Sequence, residues 1–399
     1  MASLKLNGVD KIYPSGTMAL YDIKLQAADK EFLVILGGEA SGKSSLLRVI
    51  AGLEEVSSGE IFIDDKDVTE VDPKDRDIAM VFRSNTLSPT MNVFDNMAFG
   101  LRLRKAPRAL IEQRVKAAAN ILGLSDVLYR KPKVLTAAQR QRAAIGRAIV
   151  REPKLYLFDE PLAGLDDKLK AELLNVIINL QARMEGTFVY STKNVSEAMT
   201  IGTRIIVLKN GFVQQIDTPA NLYDYPANAY VAFLIGSPTI NFINKAKIQR
   251  TDGVVYACEG EIKLALPENI LSRFKNIDEY LSGEKEVIVG FRPEDTKPHG
   301  GDIKAVVSSV GDGYAECTAD GHSFTVPADE NVKKGDELKL AIDLTRLYLF
   351  DGQTRLTLLE RDGGYEKTDY ADAEFKPLTF GEEEELKEKF KPKKKDKKK

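Results

Sequence analysis

The sequence has little of what marks a secreted, metal-bound or membrane-spanning protein. Of 399 residues only two are cysteine, Cys258 and Cys317. So sparse a pair is no disulfide framework, and reduced thiols are expected. The two histidines, His299 and His322, are isolated in loop-like segments without metal-ligand spacing. Neither cysteine has a histidine placed to make it a nucleophile, so both are read as structural. No apolar run approaches the roughly 20 residues that a membrane helix needs. The opening "MASLKLNGVDKIY" lacks the apolar core of a signal peptide. A net charge of −3 provides no broad basic field for nucleic acid or an acidic membrane. There is no internal repeat. A cytoplasmic protein is expected, reaching a membrane only as a bound subunit.

Hydrophobic content of 43% and charged content of 29% are those of a globular protein. Over about residues 1–235, strand-like and helix-like segments alternate. "FLVIL", "KLYLFDE" and "TFVYST" are buried-strand candidates, "SSLLRVIAGL" a helix, and "RIIVLKNGFVQQI" a hairpin with an Asn-Gly turn. This alternation predicts an α/β core with a mainly parallel sheet. A helix-forming stretch, "VFDNMAFGLRLRKAPRALIEQRVKAAANILGL", reads as part of an inserted helical subdomain over about 85–150. From "IGSPTINFINKAKI" to about residue 360 the segments are short, β-rich and broken by glycines, which favours a small barrel or sandwich. The end, 361–399, is a charge-segregated tail expected to be disordered.

"LVILGGEASGKSSLLRVIAGL" contains G-x-x-x-x-G-K-S as Gly37, Gly42, Lys43 and Ser44, between a buried strand and an apolar helix. In that setting, chain amides and a helix start converge on phosphate oxygens. Lys43 supplies a point charge to the terminal phosphates and Ser44 a hydroxyl to Mg²⁺. "KLYLFDEP" ends an apolar strand in Asp159 and Glu160. Asp159 can hold the metal, and Glu160 can polarise an attacking water as general base.

The phosphate loop, "LTAAQRQR", "LYLFDEP" and "LAGLDD" come in the order found in ATP-binding-cassette ATPases. The flanking "AGLEEVSSGEIFIDDKDVTEVDPKDRDIAMVF", "NVFDNMAFGLRLRK", "IGRAIVREPK" and "YDYPANAYVAFLIGSPTINF" resemble the ATPase subunits of maltose and multiple-sugar importers. The β-rich end, with "GFRPED", is similar to their accessory OB/TOBE-like barrel, and the resemblance covers about residues 3–360. It implies a P-loop core with an inserted helical subdomain and a β-barrel behind it. It also implies ATP and Mg²⁺ as ligands. Tyr13 would stack on adenine, and Gly37, Gly38, Ser41, Gly42, Lys43, Ser44 and Ser45 would hold the phosphates. Thr136, Ala137, Ala138, Gln139 and Asp166 would act in trans, on the nucleotide of a second ATPase chain facing the first head to tail. Homodimer and heterodimer both fit. Transmembrane permease subunits would rest in a groove near Arg83 and "TLSPTMNVFDN", at the cytoplasmic face of the membrane. An extracellular sugar-binding protein would be an indirect partner.

Three positions depart from the family. Its signature L-S-G-G-Q is here Leu135, Thr136, Ala137, Ala138 and Gln139. Each alanine adds a methyl where backbone amides must approach a phosphate. A lost charge-assisted contact there costs on the order of 1.5–3 kcal/mol. The family's glutamine after "IAMVF" is Arg83, and its histidine after "VYST" is Lys193. Neither cation copies a neutral amide or an imidazole. Glu39 puts a carboxylate at the loop tip, where it is expected to face solvent. The favoured expectation is a chain that binds Mg-ATP and hydrolyses it slowly or not at all. A divergent working ATPase and a regulatory module without a transport role are the alternatives. Remodelling of nucleic acid is disfavoured by the single cassette, the near-neutral charge and the lack of a long heptad run.

Overall fold

The structure, a computed structural model, describes residues 3–84, 87–184, 186–363 and 379–389. The chain divides into two compact units at Pro219 and Ala220.

In the first unit, β1 (Leu4–Ile12), β2 (Met18–Ala27) and β3 (Phe32–Leu36) precede helix α1 (Lys43–Ile50). β4 (Ser58–Ile63) and β5 (Lys66–Asp67) complete an antiparallel sheet in the order β2-β1-β4-β5. A central sheet joins β3 to β6 (Ile78–Val81), β7 (Leu155–Asp159), β8 (Thr187–Thr192), β9 (Arg204–Lys209) and β10 (Phe212–Asp217). Its order is β10-β9-β3-β8-β7-β6, parallel throughout except for the β9–β10 hairpin at Asn210-Gly211.

Every residue of β3, β7 and β8 is buried. Strands covered on both faces have no polar side to present, so they read as unbroken apolar runs. On one face, Leu33, Ile35, Leu157, Val189 and Ile206 pack with Leu46, Leu47 and Ile50 of α1 and with the antiparallel sheet. On the other, rings stack across the strands, with Tyr156 and Phe158 centred 4.6 and 5.5 Å from Phe188.

Between β6 and β7 lie α2 (Val93–Leu103), α3 (Arg108–Ile121) and α4 (Ala137–Ile149). Asn96, buried in α2, ties the chain before it: its amide donates to the carbonyls of Ser88, Met91 and Asn92, and its oxygen accepts from Ser88 N. α5 (Asp167–Arg183) and α6 (Val195–Ile201) flank β8 in sequence.

α7 (Pro219–Asp224) lies at the division, and the second unit continues with α8 (Ala229–Leu234). Ten strands follow: β11 (Asn241–Thr251), β12 (Val254–Glu259), β13 (Ile262–Ala265), β14 (Glu286–Phe291), β15 (Thr296–Lys297), β16 (Ile303–Gly311), β17 (Tyr314–Ala319), β18 (His322–Pro327), β19 (Glu337–Ile342) and β20 (Tyr348–Asp351). They form two antiparallel sheets, β13-β12-β11-β14-β20 and β15-β19-β16-β17-β18. Val287, Val289 and Phe291 from one sheet share a core with Val307, Cys317, Phe324 and Leu340 from the other. The Asn241 amide joins the sheets, bonding both Thr325 N and Thr325 O at 2.8 Å. The expected small barrel or sandwich is observed as these two five-stranded sheets around one core.

Arg292, in the "GFRPED" segment, is the largest fully buried side chain of the described residues. Its guanidinium donates to Tyr223 O, Ala232 O and Ile235 O, and lies 4.1 Å from the Tyr223 ring centroid. Two helices before the barrel are thereby fixed to it.

In the charged tail, expected to be disordered, Phe380–Lys389 is helical. The rest of the tail, 364–378 and 390–399, lies outside the described residues, as do Asn85 and Thr86 beside the expected permease groove. Among the described residues no helix is long and apolar enough to cross a membrane.

Candidate nucleotide site

Strand register brings the sequence motifs together. In the central sheet Leu36 is level with Thr192, Asp159 with Ser191, and Val81 with Phe158. The residues just past these ends emerge side by side: the phosphate loop from β3, Lys193 from β8, Glu160 from β7 and Arg83 just beyond β6. The carboxyl edge of a parallel sheet is where α/β proteins hold ligands.

The loop runs from Gly37 to Gly42, which caps α1 with φ of 102°. A β-carbon at Gly42 would lie 2.5 Å from Ala19 O, and one at Gly37 2.3 Å from Leu208 O. Both positions therefore require glycine. Ala40 has no such exemption and sits at φ of 56°, in the left-handed region. Lys43 is buried, with its ammonium donating to Gly37 O at 2.9 Å, Gly38 O at 2.6 Å and Ser41 Oγ at 3.3 Å. Burial pushes its pKa below the ordinary lysine value, and Glu160 opposes the shift.

Ser44 Oγ donates to Asp159 Oδ1 at 2.8 Å, and Ser191 Oγ donates to the same oxygen at 3.0 Å. A hydroxyl and a buried carboxylate thus meet beside the loop, a donor set that suits a hard cation such as Mg²⁺. Glu160 follows at φ of 42°, its amide bonded to Ser191. One carboxylate oxygen is 3.5 Å from Lys43 Nζ and the other 3.5 Å from an Arg83 nitrogen. Lys193 Nζ is 3.0 Å from Glu39 Oε1. Glu39, expected to face solvent, is exposed and also ion-paired across the loop mouth. A cavity of about 370 Å³ adjoins these groups, lined in part by Arg83, Glu160, Gly164, Lys170, Lys193 and Asn194.

The remaining expected residues divide. The Tyr13 hydroxyl bonds Ser45 Oγ at 2.9 Å and Glu54 at 2.7 Å, which holds its ring beside the start of α1. Thr136 caps α4 in a reciprocal box: its hydroxyl accepts from Gln139 N, and the Gln139 side chain accepts from Thr136 N. Ala137 and Ala138 occupy the first turn. Asp166 caps α5 by accepting from Leu169 N. Among the described residues, no hydrogen bond joins these caps to the phosphate loop of the same chain. Two participants escaped the sequence reading. Ser191 could have been found by aligning the ends of the apolar strands. The Glu39–Lys193 pair had no local signal.

A family model described as ABC transporter matches residues 20–163, and one described as MalK OB fold domain matches 236–296. The oligosaccharides import ATP-binding protein MsmX of Bacillus subtilis is 42% identical over 372 residues, spanning 90% of this chain and all of that protein. The chain belongs to the ABC transporter ATP-binding proteins. As an ABC ATPase it takes ATP with Mg²⁺, and the loop, Ser44 and Asp159 fit both. The sn-glycerol-3-phosphate import ATP-binding protein UgpC of Cupriavidus metallidurans is 40% identical, covering 89% of this chain and 98% of its own. Among solved structures, the dimeric post-hydrolysis ATP-binding cassette MJ0796 bound to ADP and Pi aligns with a TM-score of 0.50 and 29% identity. That alignment covers 54% of this ABC protein and 98% of the other chain.

Proposed function

We propose that the chain is the nucleotide-binding subunit of a carbohydrate importer that binds Mg-ATP firmly and hydrolyses it slowly. The observation behind slow turnover is the double clamp on Glu160, with Lys43 at one carboxylate oxygen and Arg83 at the other, each at 3.5 Å. Both cations engage the carboxylate oxygens that a general base must offer to an attacking water. Arg83 and Lys193 also have donors only. A water placed between them and Glu160 finds one acceptor where a glutamine and an imidazole would add two more. Bound Mg²⁺ supplies charge neutralisation at the phosphate oxygens. Ser44 and Asp159 would hold it, and Ser191 keeps Asp159 in place.

In this reading Thr136, Ala137, Ala138, Gln139 and Asp166 meet the nucleotide of a second ATPase chain. Both are worked by permease subunits at the cytoplasmic face of the membrane, with an extracellular sugar-binding protein acting through those subunits. Support comes from MsmX, named for oligosaccharide import, and from the MalK-type OB match. The deciding experiment pairs an ATP-binding titration with a phosphate-release assay, alone and with permease subunits. Tight Mg-dependent binding with little release is expected. Brisk multiple turnover that Glu160→Gln abolishes would refute slow hydrolysis.

A further inference from the structure

Glu39 stands on the phosphate loop, four residues before Lys43, and reaches across the mouth of the site to Lys193. Its carboxylate oxygen is 3.0 Å from the Lys193 ammonium, although Glu39 is 154 positions distant in sequence. Both side chains are exposed, and the ion pair holds them to each other there. Lys193 lowers the Glu39 pKa below the ordinary carboxylate value, first through the hydrogen bond and then through its charge, with Arg83 and Lys43 adding to the effect. Lys193 is the cation that this carboxylate engages directly.

A terminal phosphate extending beyond Lys43 toward the cavity that Arg83 and Lys193 line would meet the cation that Glu39 already pairs. It carries more negative charge than a carboxylate and prefers the same donors. Glu39 is thus a tethered anion already paired with one of the groups that a third phosphate would use. A nucleotide with two phosphates stops short of that group and leaves the pair intact. One with three must draw Lys193 away from Glu39 and then lie next to the released carboxylate.

We propose that Glu39 is a specificity-determining residue that selects against the third phosphate, competing for Lys193 and narrowing the preference for ATP over ADP. This rests on the nucleotide-binding reading of the same loop and adds a consequence for which nucleotide dwells there. The competition is electrostatic and exposed, so it weakens with salt.

The test measures Kd for Mg-ATP and Mg-ADP on the full-length chain and on Glu39→Gln, Lys193→Gln and the double variant, by calorimetry at low and high salt. Glu39→Gln is isosteric and surface-located, and circular dichroism checks that it folds. The expected result is a ratio of ATP to ADP affinity about five-fold higher in Glu39→Gln at low salt, the scale of a well-placed surface ion pair. The ADP Kd should stay unchanged, and the gain should shrink at high salt. In the Lys193→Gln background the same substitution should change the ratio far less, because the shared partner is gone. A ratio in Glu39→Gln within about 1.5-fold of the parent, smaller than the weakest useful ion pair, overturns the proposal while ADP binding still stands. So does an equal gain in the Lys193→Gln background. Failure to bind either nucleotide overturns the binding reading itself, and the selection with it.

Discussion

Replacing Arg83 by glutamine should release Glu160 from one of its two clamps. The guanidinium nitrogen lies 3.5 Å from the carboxylate oxygen. At that separation two unit charges attract by about 1.2 kcal/mol in water and about 4.7 kcal/mol at an effective dielectric of 20. The Arg83 side chain is 62% exposed, which puts the pair near the lower figure. Freeing that oxygen from the pair makes it available to orient an attacking water. Glutamine also restores an acceptor that can orient water. At saturating Mg-ATP, Arg83→Gln should therefore raise kcat up to about seven-fold, the rate change that about 1.2 kcal/mol makes. Phosphate release measures it, with Glu160→Gln in the same background as control. Adding Lys193→His, Ala137→Gly and Ala138→Gly should extend the gain to about a thousand-fold if each contributes about 1 kcal/mol. The reasoning fails if Arg83→Gln binds ATP normally yet turns over no faster, or if its gain survives loss of Glu160.

Asp159→Asn removes the carboxylate that Ser44 and Ser191 hold, and should abolish the Mg²⁺-dependent part of ATP affinity while leaving metal-free binding nearly unchanged. Ala40→Gly should relieve a left-handed alanine worth about 1–2 kcal/mol, less the roughly 0.4–1 kcal/mol of chain entropy that glycine loses. The net rise in the first unit's Tm should be about 1–3 °C by calorimetry. Thr136→Ala removes the α4 cap and should cost about 1 kcal/mol of chemical stability. Arg292→Met leaves the Tyr223, Ala232 and Ile235 carbonyls without their donor, at about 1 kcal/mol or more apiece. Thermal scanning should show the second unit melting on the order of 10 °C earlier, with the first unit unmoved.

Much of the first unit was readable because its strands are buried on both faces. "FLVIL", "LYLFD" and "TFVYST" are the observed β3, β7 and β8. Parallel register then does the rest: the polar residue that ends each apolar run arrives at one edge, so Asp159 and Ser44 meet although 115 positions separate them. The barrel was legible only as a class. Its strands are short, and pairing slips occur between Ile243 and Ala246 and between Val307 and Ser309, which no local pattern announces. The Glu39–Lys193 contact was hidden for a similar reason. Two exposed, opposite charges far apart in sequence are ordinary surface residues until the fold lays their strands side by side. Arg292 was legible only as part of "GFRPED" in the β-rich end, whereas its donors hold three carbonyls in and just past the two helices before β11.

Glu160 keeps its left-handed backbone, its bonds to Ser191 and its place at the end of β7. The scaffold that aims this carboxylate is in place, and on the proposed reading the Arg83 half of its restraint sits in a solvent-facing side chain with few packing obligations, while the Lys43 half is buried. On that reading the Arg83 restraint is shallow: a single substitution at the surface could lift it without repacking a hydrophobic residue.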